Sequence, residues 1–344
     1  MKIQTDQAMQ LPVLTVVMPV HNGARWLGET LVSIYNQSFG DFELILVDDA
    51  STDALLGVLN AFPDPRLTVV RLEKNEGVAE ARNKGVAQAN SQYIAFCDAD
   101  DICQPERFEK QITFLQQHAR VGVCGTAFTC FETEDGETVR NPSSDGEIRR
   151  SLMRGNCFGT STMMGRAELL KKHVFDQSMT PTEDYDLWTR LSCEGVQMAN
   201  LPDSLLRYRV HAQQASQQKS VRLDQLARKI RALYCARLLG LAGLLERMRV
   251  ESIEMEDLDA AASGIVNYCA THSDVSVSEF RFMLAWLYQK LPNHGLLSWW
   301  RWTRLQKELK LDLNRNYRFN IALLALLPIG IGYKYFDTLI KMKR

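Results

Sequence analysis

The chain of 344 residues lacks several signatures that point to common classes of function. Its eight cysteines include no Cys-X-X-Cys pair, and no compact Cys/His set has the spacing of a zinc site. The first ten residues are polar and contain no apolar segment, so we expect no secretory signal. Scattered single cysteines are typical of a reducing compartment, and we therefore expect a cytoplasmic protein.

A long apolar run is also missing. The apolar stretch of the C-terminal tail, Ile321 to Ile331, is far shorter than the roughly 20 residues that span a bilayer. The tail is basic, because residues 281–344 contain 12 Lys and Arg against 3 Asp and Glu, whereas residues 1–280 contain 28 against 38. Four of the six tryptophans also lie in this tail, at positions 286, 299, 300 and 302.

Aromatic and basic residues around a short apolar segment are typical of a helix that lies in the surface of an anionic membrane. The tail therefore predicts peripheral contact with the inner face of the cytoplasmic membrane. The alternative is a helical subdomain that packs on the body of the protein or on another copy as a homo-oligomer. We expect no nucleic-acid partner.

Four apolar runs alternate with helix-like segments over residues 11–100, which predicts an α/β fold with a mostly parallel sheet flanked by helices. The runs are Leu14 to Val20, Phe42 to Val47, Leu67 to Leu72 and Tyr93 to Phe96. A further strand is expected from Thr160 to Met164, and the pattern is helical from Ser220 onward. We expect one domain over residues 1–215 and an α-helical C-terminal region over residues 216–344.

Polar side chains follow each of these apolar runs. The carboxyl ends of parallel strands share one edge of a sheet, and ligands of open α/β sheets bind at that edge. We therefore expect these side chains to converge on one crevice. They are Asn22, Asp48, Asp49, Asn75, Asp98, Asp100 and Asp101.

The segment Asp98-Ala99-Asp100-Asp101 places three carboxylates in four positions, where they repel one another unless a cation lies nearby. An Asp-X-Asp at the end of a strand can hold a divalent metal, and the metal can hold a diphosphate. Asp100 is the candidate ligand, and Asp98 shares the metal or lies nearer the ribose. Asp101 could instead cap the following turn, and a solvated turn is the alternative for the whole cluster.

Together with segments elsewhere in the chain, this pattern resembles the family-2 glycosyltransferases of the GT-A fold. The resemblance covers roughly residues 11–215 and indicates nothing firm beyond about residue 225. The matching segments are Pro19-Val20-His21-Asn22, Val47-Asp48-Asp49-Ala50-Ser51-Thr52-Asp53, Asn75-Glu76-Gly77, Ala81-Arg82-Asn83-Lys84-Gly85, Asp98-Ala99-Asp100-Asp101, Thr182-Glu183-Asp184-Tyr185-Asp186-Leu187-Trp188 and Tyr208-Arg209-Val210-His211.

The resemblance implies that one acid at the end of the second strand hydrogen-bonds the base of a nucleotide, whereas Asp53 fits a helix N-cap or turn better. Arg82 could reach the base or a phosphate, or form a surface salt bridge. The family usually has Tyr where this chain has His21, whose ring could stack on the base, hydrogen-bond it or have a simple loop role. The expected donor-binding residues are Pro19, His21, Asn22, Asp48, Asp49, Asn75, Arg82, Asp98 and Ala99.

By the same resemblance, Asp184 is the expected general base, and Glu183 orients it or the acceptor. Asp184 falls at a predicted helix N-terminus, where the helix dipole favours an ionised carboxylate. The alternative is that both acids only support the helix start. Trp188 could form an acceptor platform, although core packing fits it better. His211 is expected to complete the shell of a divalent metal, Mn²⁺ or Mg²⁺, although a lone histidine is often structural.

The function that the resemblance implies is transfer of a sugar, with inversion, from a nucleotide-diphosphate donor to a hydroxyl. A UDP-sugar is the favoured donor, and the acceptor is expected to be a glycan or lipid-linked glycan of bacterial-type surface polysaccharide assembly. A nucleotidyltransferase is an alternative, but the segment after the first strand has one glycine and no lysine. A second alternative is a non-catalytic membrane scaffold with a degenerate sugar-nucleotide domain.

Overall fold

The computed structural model describes residues 11–133, 136–211, 214, 221–250, 252–292 and 296–309. The chain divides into two compact units, and the boundaries between them fall after residues 151, 155 and 224. The predicted boundary at residue 215 stays a prediction, because residues 215–220 lie outside the described part of the chain.

The first unit is built around one sheet. Its described strands are β1 (Leu14–Val20), β2 (Phe42–Asp48), β3 (Leu67–Arg71), β4 (Tyr93–Phe96), β5 (Ile102–Cys103), β6 (Val121–Phe131), β7 (Thr138–Val139), β8 (Met164–Arg166) and β9 (Gln197–Arg209). They pair in the order β3-β2-β1-β4-β8-β6-β9-β5, and β7 pairs with β6. The segment β3-β2-β1-β4 is parallel, as is the β6–β9 pair, whereas β8 runs antiparallel to both β4 and β6.

Helices connect these strands, as the alternating pattern predicts. Those of the first unit are α1 (Ala24–Tyr35), α2 (Leu55–Ala61), α3 (Val78–Gln88), α4 (Arg107–Gln117), α5 (Asp145–Leu152), α6 (Ala167–Lys172) and α7 (Glu183–Cys193). Helix α1 buries Leu27, Leu31 and Ile34, which are spaced three or four residues apart and therefore lie on one face. The expected α/β architecture is confirmed.

Strand β1 is apolar apart from Thr15, and all of its residues are buried. It lies between two parallel neighbours, and a strand covered on both faces shows no alternation of polar and apolar side chains. Helix α3 approaches β1 closely at Gly85. A Cβ atom there would lie 2.4 Å from Cγ1 of Val17, so the packing requires glycine at this position.

Helices also make up the second unit, in agreement with the helical pattern of the sequence. From residue 221 onward the described α-helices are α8 (Val221–Leu238), α9 (Ala242–Arg249), α10 (Met255–Thr271), α11 (Arg281–Lys290) and α12 (Leu296–Glu308). Arg247 on α9 bonds the carboxylate of Asp257 on α10, and that carboxylate also accepts the backbone N–H of Glu254 at the start of α10.

None of the described helices has the length and apolarity that a crossing of the bilayer requires. The predicted membrane segment, Ile321 to Ile331, and the basic C-terminus lie outside the described residues.

The segment from Thr160 to Met164 differs from its prediction as a strand. Residues Thr160–Thr162 form a 3-10 turn, and strand β8 begins only at Met164. The three hydroxyl side chains of the turn are buried and find hydrogen-bond partners outside the sheet ladder. The partners of Thr160 and Ser161, which are Asp184 and Asp98, are distant in sequence, so the local pattern could not reveal them.

Candidate functional site

The carboxyl ends of β1, β2 and β4 lie at one edge of the sheet. The register of β1 and β2 pairs Val20 with Asp48, and β4 runs parallel beside β1. The residues that follow these three strands are therefore neighbours in space. They include the predicted site residues His21, Asn22, Asp48, Asp49 and Asp98.

The two acids at the end of β2 are buried and bonded to the protein's own backbone. Asp49 accepts the N–H groups of Glu76 at 2.6 Å and Gly77 at 2.8 Å, one on each carboxylate oxygen. Asp48 accepts the N–H of Ser51 at 2.8 Å. Asp49 therefore ties the loop after β2 to the loop that carries Asn75.

His21 and Asn22 join the loops after β1 and β2. The Nδ1–H of His21 donates to the carbonyl of Asp49 at 2.7 Å, and the amide of Asn22 donates to Nε2 at 3.1 Å. These partners assign the neutral tautomer with its proton on Nδ1. Asn22 has a φ of 54° and accepts the N–H of Thr52 at 2.8 Å. Both side chains are exposed at this edge of the sheet.

The remaining predicted donor residues differ in exposure. Asn75 is exposed, whereas Pro19 is buried within β1. Ala99 is also buried, and its carbonyl accepts the hydroxyl of Thr30 at 2.9 Å. Asp53, in the loop after β2, accepts the N–H of Ala24 at 2.8 Å, so it caps the first turn of α1.

Asp49→Asn is expected to destabilise the fold by about 1.5–3 kcal/mol, because an amide accepts on one atom only and leaves one of the two N–H donors unpaired. The free energy of unfolding from urea titration measures this effect. Asn75→Ala is the matched control, since its exposed side chain should contribute little. An Asp49→Asn protein that is as stable as the wild type would contradict the loop-tying role.

Asp100 and His211 are in contact. Oδ2 of Asp100 lies 2.9 Å from Nε2 of His211, and the imidazole stacks on Trp26 with the ring centroids 4.0 Å apart. Burial and repulsion by Asp98 raise the pKa of Asp100, and the hydrogen bond from His211 opposes this rise. The Nδ1 atom of His211 is buried and has no hydrogen-bond partner among the described residues.

Asp101 has a different environment from its neighbours. It is fully buried and accepts the N–H of Arg209 on β9 at 3.0 Å, so it links two strands and does not cap the turn that follows it. Burial, followed by repulsion from Asp100 and Asp98, raises its pKa well above the ordinary value. The guanidinium of Arg209 bonds the carbonyl of Asp100 at 2.8 Å.

Arg82 is buried between two carboxylates, although a surface salt bridge was one of its expected roles. Its two terminal nitrogens lie 2.9 Å from Oδ1 of Asp98 and 2.9 Å from Oε1 of Glu183. Burial alone would lower the pKa of Arg82, but Asp98, Glu183 and Asp184 outweigh burial and raise it. Arg82 therefore connects the acidic turn after β4 to the start of α7.

Glu183 is buried at 4% exposure, and its described partner is Arg82. Burial raises its pKa, attraction by Arg82 opposes the rise, and repulsion by Asp184 adds to it. The carboxylate is thus held toward Arg82 and away from solvent.

Asp184 lies in the first turn of α7 and is partly exposed. Its Oδ2 accepts the amide of Asn156 at 2.9 Å and the hydroxyl of Thr160 at 2.7 Å. Its Oδ1 accepts the N–H of Tyr185 at 2.6 Å. Asn156 and Thr160 therefore hold the carboxylate.

Trp188 packs in the core, which was the favoured of its two expected roles. The indole is fully buried, and its ring makes edge contacts with Phe158 and Phe175. The acceptor platform is not formed by this side chain.

Comparison with known proteins identifies the family of this chain. The sequence model of glycosyl transferase family 2 matches residues 15–174. The amylovoran biosynthesis glycosyltransferase AmsE of Erwinia amylovora is 32% identical over 189 residues, which cover 53% of this chain and 70% of the relative. This chain belongs to glycosyl transferase family 2. An uncharacterized glycosyltransferase of Haemophilus influenzae is 25% identical over 323 residues. This match covers 89% of this chain and 95% of the relative.

The fold of this glycosyltransferase is also that of solved relatives. The crystal structure of S. aureus TarS 1–349 in complex with UDP-GlcNAc superposes with a TM-score of 0.58 at 16% identity. The superposition covers 90% of each chain. The expected GT-A fold is confirmed.

The acids and histidine of this glycosyltransferase suit a divalent cation by chemistry. Carboxylate oxygens and imidazole nitrogen are ligands of Mn²⁺, and a cation beside Asp100 would relieve its repulsion with Asp98. Among the described residues, no three His, Cys, Asp or Glu side chains are gathered at metal-binding spacing. Two of the three predicted ligands, Asp100 and His211, are in contact, whereas Asp98 is bonded to Arg82.

Several residues around the site were not found by sequence reasoning. Arg209 lies in a segment that matches the family, but nothing in that segment shows that its side chain is buried and bonded to Glu29 and Glu132. Asn156 and Thr160 lie in a stretch that matches no motif. Their role depends on contacts with Asp184, which is 28 and 24 residues away in sequence.

Proposed function

We propose that this glycosyltransferase moves a sugar, with inversion, from a nucleotide-diphosphate donor to a hydroxyl of a glycan or lipid-linked glycan. A UDP-sugar is the favoured donor, which the TarS complexes with UDP and UDP-GlcNAc support. Relatives named for amylovoran and O-antigen biosynthesis support a role in surface polysaccharide assembly.

The observation that carries the proposal is the bridge through Arg82. Asp98 belongs to the turn proposed to hold the donor, and Glu183 is adjacent in sequence to the proposed base, Asp184. Arg82 bonds both Asp98 and Glu183 at 2.9 Å. An enzyme that joins two substrates needs its donor site and its base at a fixed separation, and this bridge supplies it.

The reaction then follows from the positions of these groups. The acceptor oxygen forms a bond to the anomeric carbon from the face opposite the diphosphate. The bond from that carbon to the diphosphate oxygen breaks, and its electron pair leaves with the diphosphate. The carboxylate of Asp184 takes the proton of the acceptor hydroxyl. The positive charge of Arg82 lies next to Asp98 in the proposed donor site and next to Glu183 beside the proposed base. It keeps both carboxylates in place.

A divalent metal, Mn²⁺ or Mg²⁺, is proposed to be held by Asp100 and His211, with Asp98 sharing it. When bound, such an ion neutralises the charge that develops on the leaving diphosphate. The stack of His211 on Trp26 fixes the plane of the imidazole and thereby the direction of its nitrogens.

Peripheral membrane contact through the basic tail, cytoplasmic location and an oligomer formed by the C-terminal helices stay proposals from sequence. The apolar segment and the C-terminal Lys and Arg residues on which the membrane proposal rests lie outside the described residues.

Calorimetry with UDP-, GDP-, dTDP- and CMP-sugars in the presence of Mn²⁺ tests the donor and the metal. We expect one nucleotide class to bind, and Asp100→Asn to weaken its metal-dependent binding by about 10- to 100-fold, as expected when a charged metal contact is lost. Asp41→Asn is the matched control, because this exposed acid precedes β2 at the opposite end of the strand.

Failure of the whole donor panel to bind would refute the proposed function. Binding that Asp100→Asn leaves unchanged would refute only the metal role.

A further inference from the structure

The 3-10 turn Thr160–Thr162 contacts both the proposed base, Asp184, and the acidic turn proposed to hold the donor, through neighbouring hydroxyl groups. The hydroxyl of Thr160 donates to Oδ2 of Asp184 at 2.7 Å. The hydroxyl of Ser161 accepts the N–H of Asp98 at 3.0 Å. One side of the turn therefore meets the proposed base, and the other meets the turn proposed to hold the donor.

The turn itself is firmly held. The hydroxyl of Thr162 donates to the carbonyl of Gly159 at 2.7 Å. The backbone carbonyl of Thr162 accepts the side-chain amide of Gln111 at 2.9 Å. The carbonyl of the next residue, Met163, accepts the N–H of Phe96 in β4 at 2.9 Å. Buried side chains with several hydrogen bonds have few alternative positions, so the turn acts as a rigid spacer.

The contacts of Asp184 also identify the oxygen that can react. Each carboxylate oxygen has two lone pairs, and Oδ2 already accepts from both Asn156 and Thr160. Oδ1 accepts only the N–H of Tyr185 among the described residues, so it retains a lone pair. The proton of an acceptor hydroxyl therefore goes to Oδ1.

We propose that Thr160 and Ser161 are positioning residues that set the separation between the base and the donor-holding turn, with Thr160 directing Oδ1 of Asp184 toward the acceptor. This inference rests on the proposed function of Asp184 as the base. Thr160 acts on the chemical step through Asp184, and Ser161 acts on donor binding through Asp98.

The two roles predict different kinetic effects. Thr160→Val keeps the shape of the side chain but removes the hydroxyl that donates a hydrogen bond to Asp184. The value of kcat should therefore fall about 10-fold, whereas the Kd for UDP with Mn²⁺ should not change. Ser161→Ala should weaken that Kd about 10-fold and change kcat at saturating donor much less. Losses of 10- to 100-fold are usual when a group that orients a ligand or catalytic residue is removed.

The experiment measures nucleotide release from the sugar nucleotide of the UDP, GDP, dTDP and CMP panel that turns over, with water as the acceptor. Calorimetry with UDP and Mn²⁺ reports binding independently of turnover, and thermal melting reports folding. Thr160→Ser restores the hydroxyl and should recover kcat, which a loss of packing alone would not explain. Asn156→Ala removes the other hydrogen bond donated to Oδ2 of Asp184. Because Asn156 is exposed, this change should lower kcat without affecting the fold.

Equal kcat values for the wild type, Thr160→Val and Asn156→Ala would overturn the inference, and so would equal effects of Thr160→Val and Ser161→Ala on kcat and Kd. These outcomes differ from failure of the proposed function. In that case no sugar nucleotide turns over, or Asp184→Asn remains active.

Discussion

Asp184→Asn is expected to lower the rate of sugar transfer by at least about 100-fold and to leave donor affinity nearly unchanged. The amide has the same shape as the carboxylate but cannot take a proton. Asn156 and Thr160 donate to the Oδ2 position, so they select the amide oxygen there and leave the NH₂ group at the Oδ1 position. A hydrogen-bond donor then occupies the place where the acceptor proton must go.

The rate is measured as nucleotide release at saturating donor, and calorimetry with UDP and Mn²⁺ checks binding in the same protein. Asp203→Asn is a matched control, because this acid forms an exposed salt bridge with Lys110 on the surface. Turnover of Asp184→Asn within a few-fold of the wild type would end the assignment of Asp184 as the base.

Arg82→Met is expected to have the largest effect on stability, a loss of about 3–5 kcal/mol in the free energy of unfolding near pH 7. The substitution leaves Glu183 buried without its cationic partner and removes a bond to Asp98. Adding Glu183→Gln to Arg82→Met should recover part of the loss, because an uncharged amide is less costly to bury.

The loss of unfolding free energy caused by Arg82→Met should also depend on pH. Burial already raises the pKa of Glu183 in the folded protein, so a proton binds the folded state more tightly than the unfolded state. The free-energy cost of burying the charged Glu183 is therefore present when the pH is above the pKa of Glu183 in the folded protein. It decreases as the pH falls through that pKa. Urea titrations at pH 7 and pH 5 measure the difference. A deficit that is equal at both pH values, or absent, would contradict the role of Arg82 as the partner of a buried acid.

The strands could be predicted from the sequence because they are covered on both faces. The four apolar runs of residues 11–100 match β1 to β4 within one residue at each end. The edge at which Asp48, Asp49 and Asp98 lie also followed from the parallel order alone. These features depend on local composition and on a general rule of sheet topology.

The contacts within the site could not be predicted in the same way. Arg82 bonds residues that are 16 and 101 positions away, and no local pattern encodes which acids a buried arginine meets. Asp49 stays a predicted donor-binding residue, but no local pattern shows that its two oxygens also bond the backbone N–H groups of Glu76 and Gly77. The sequence predicts a strand where the turn Thr160–Thr162 lies, because the contacts of Thr160 with Asp184 and of Ser161 with Asp98 are not visible in a local pattern.

The bonds that join the loops after β1, β2 and β3 have a thermodynamic consequence. Asp49, Asn22 and Asp53 connect these loops through hydrogen bonds from their side chains to the protein's own backbone, so the arrangement of the loops is part of the fold itself. The conformational entropy of ordering them is lost during folding and not when a nucleotide enters. A donor that binds this crevice therefore loses chiefly its own freedom of motion, which leaves more of its contact energy to appear as affinity.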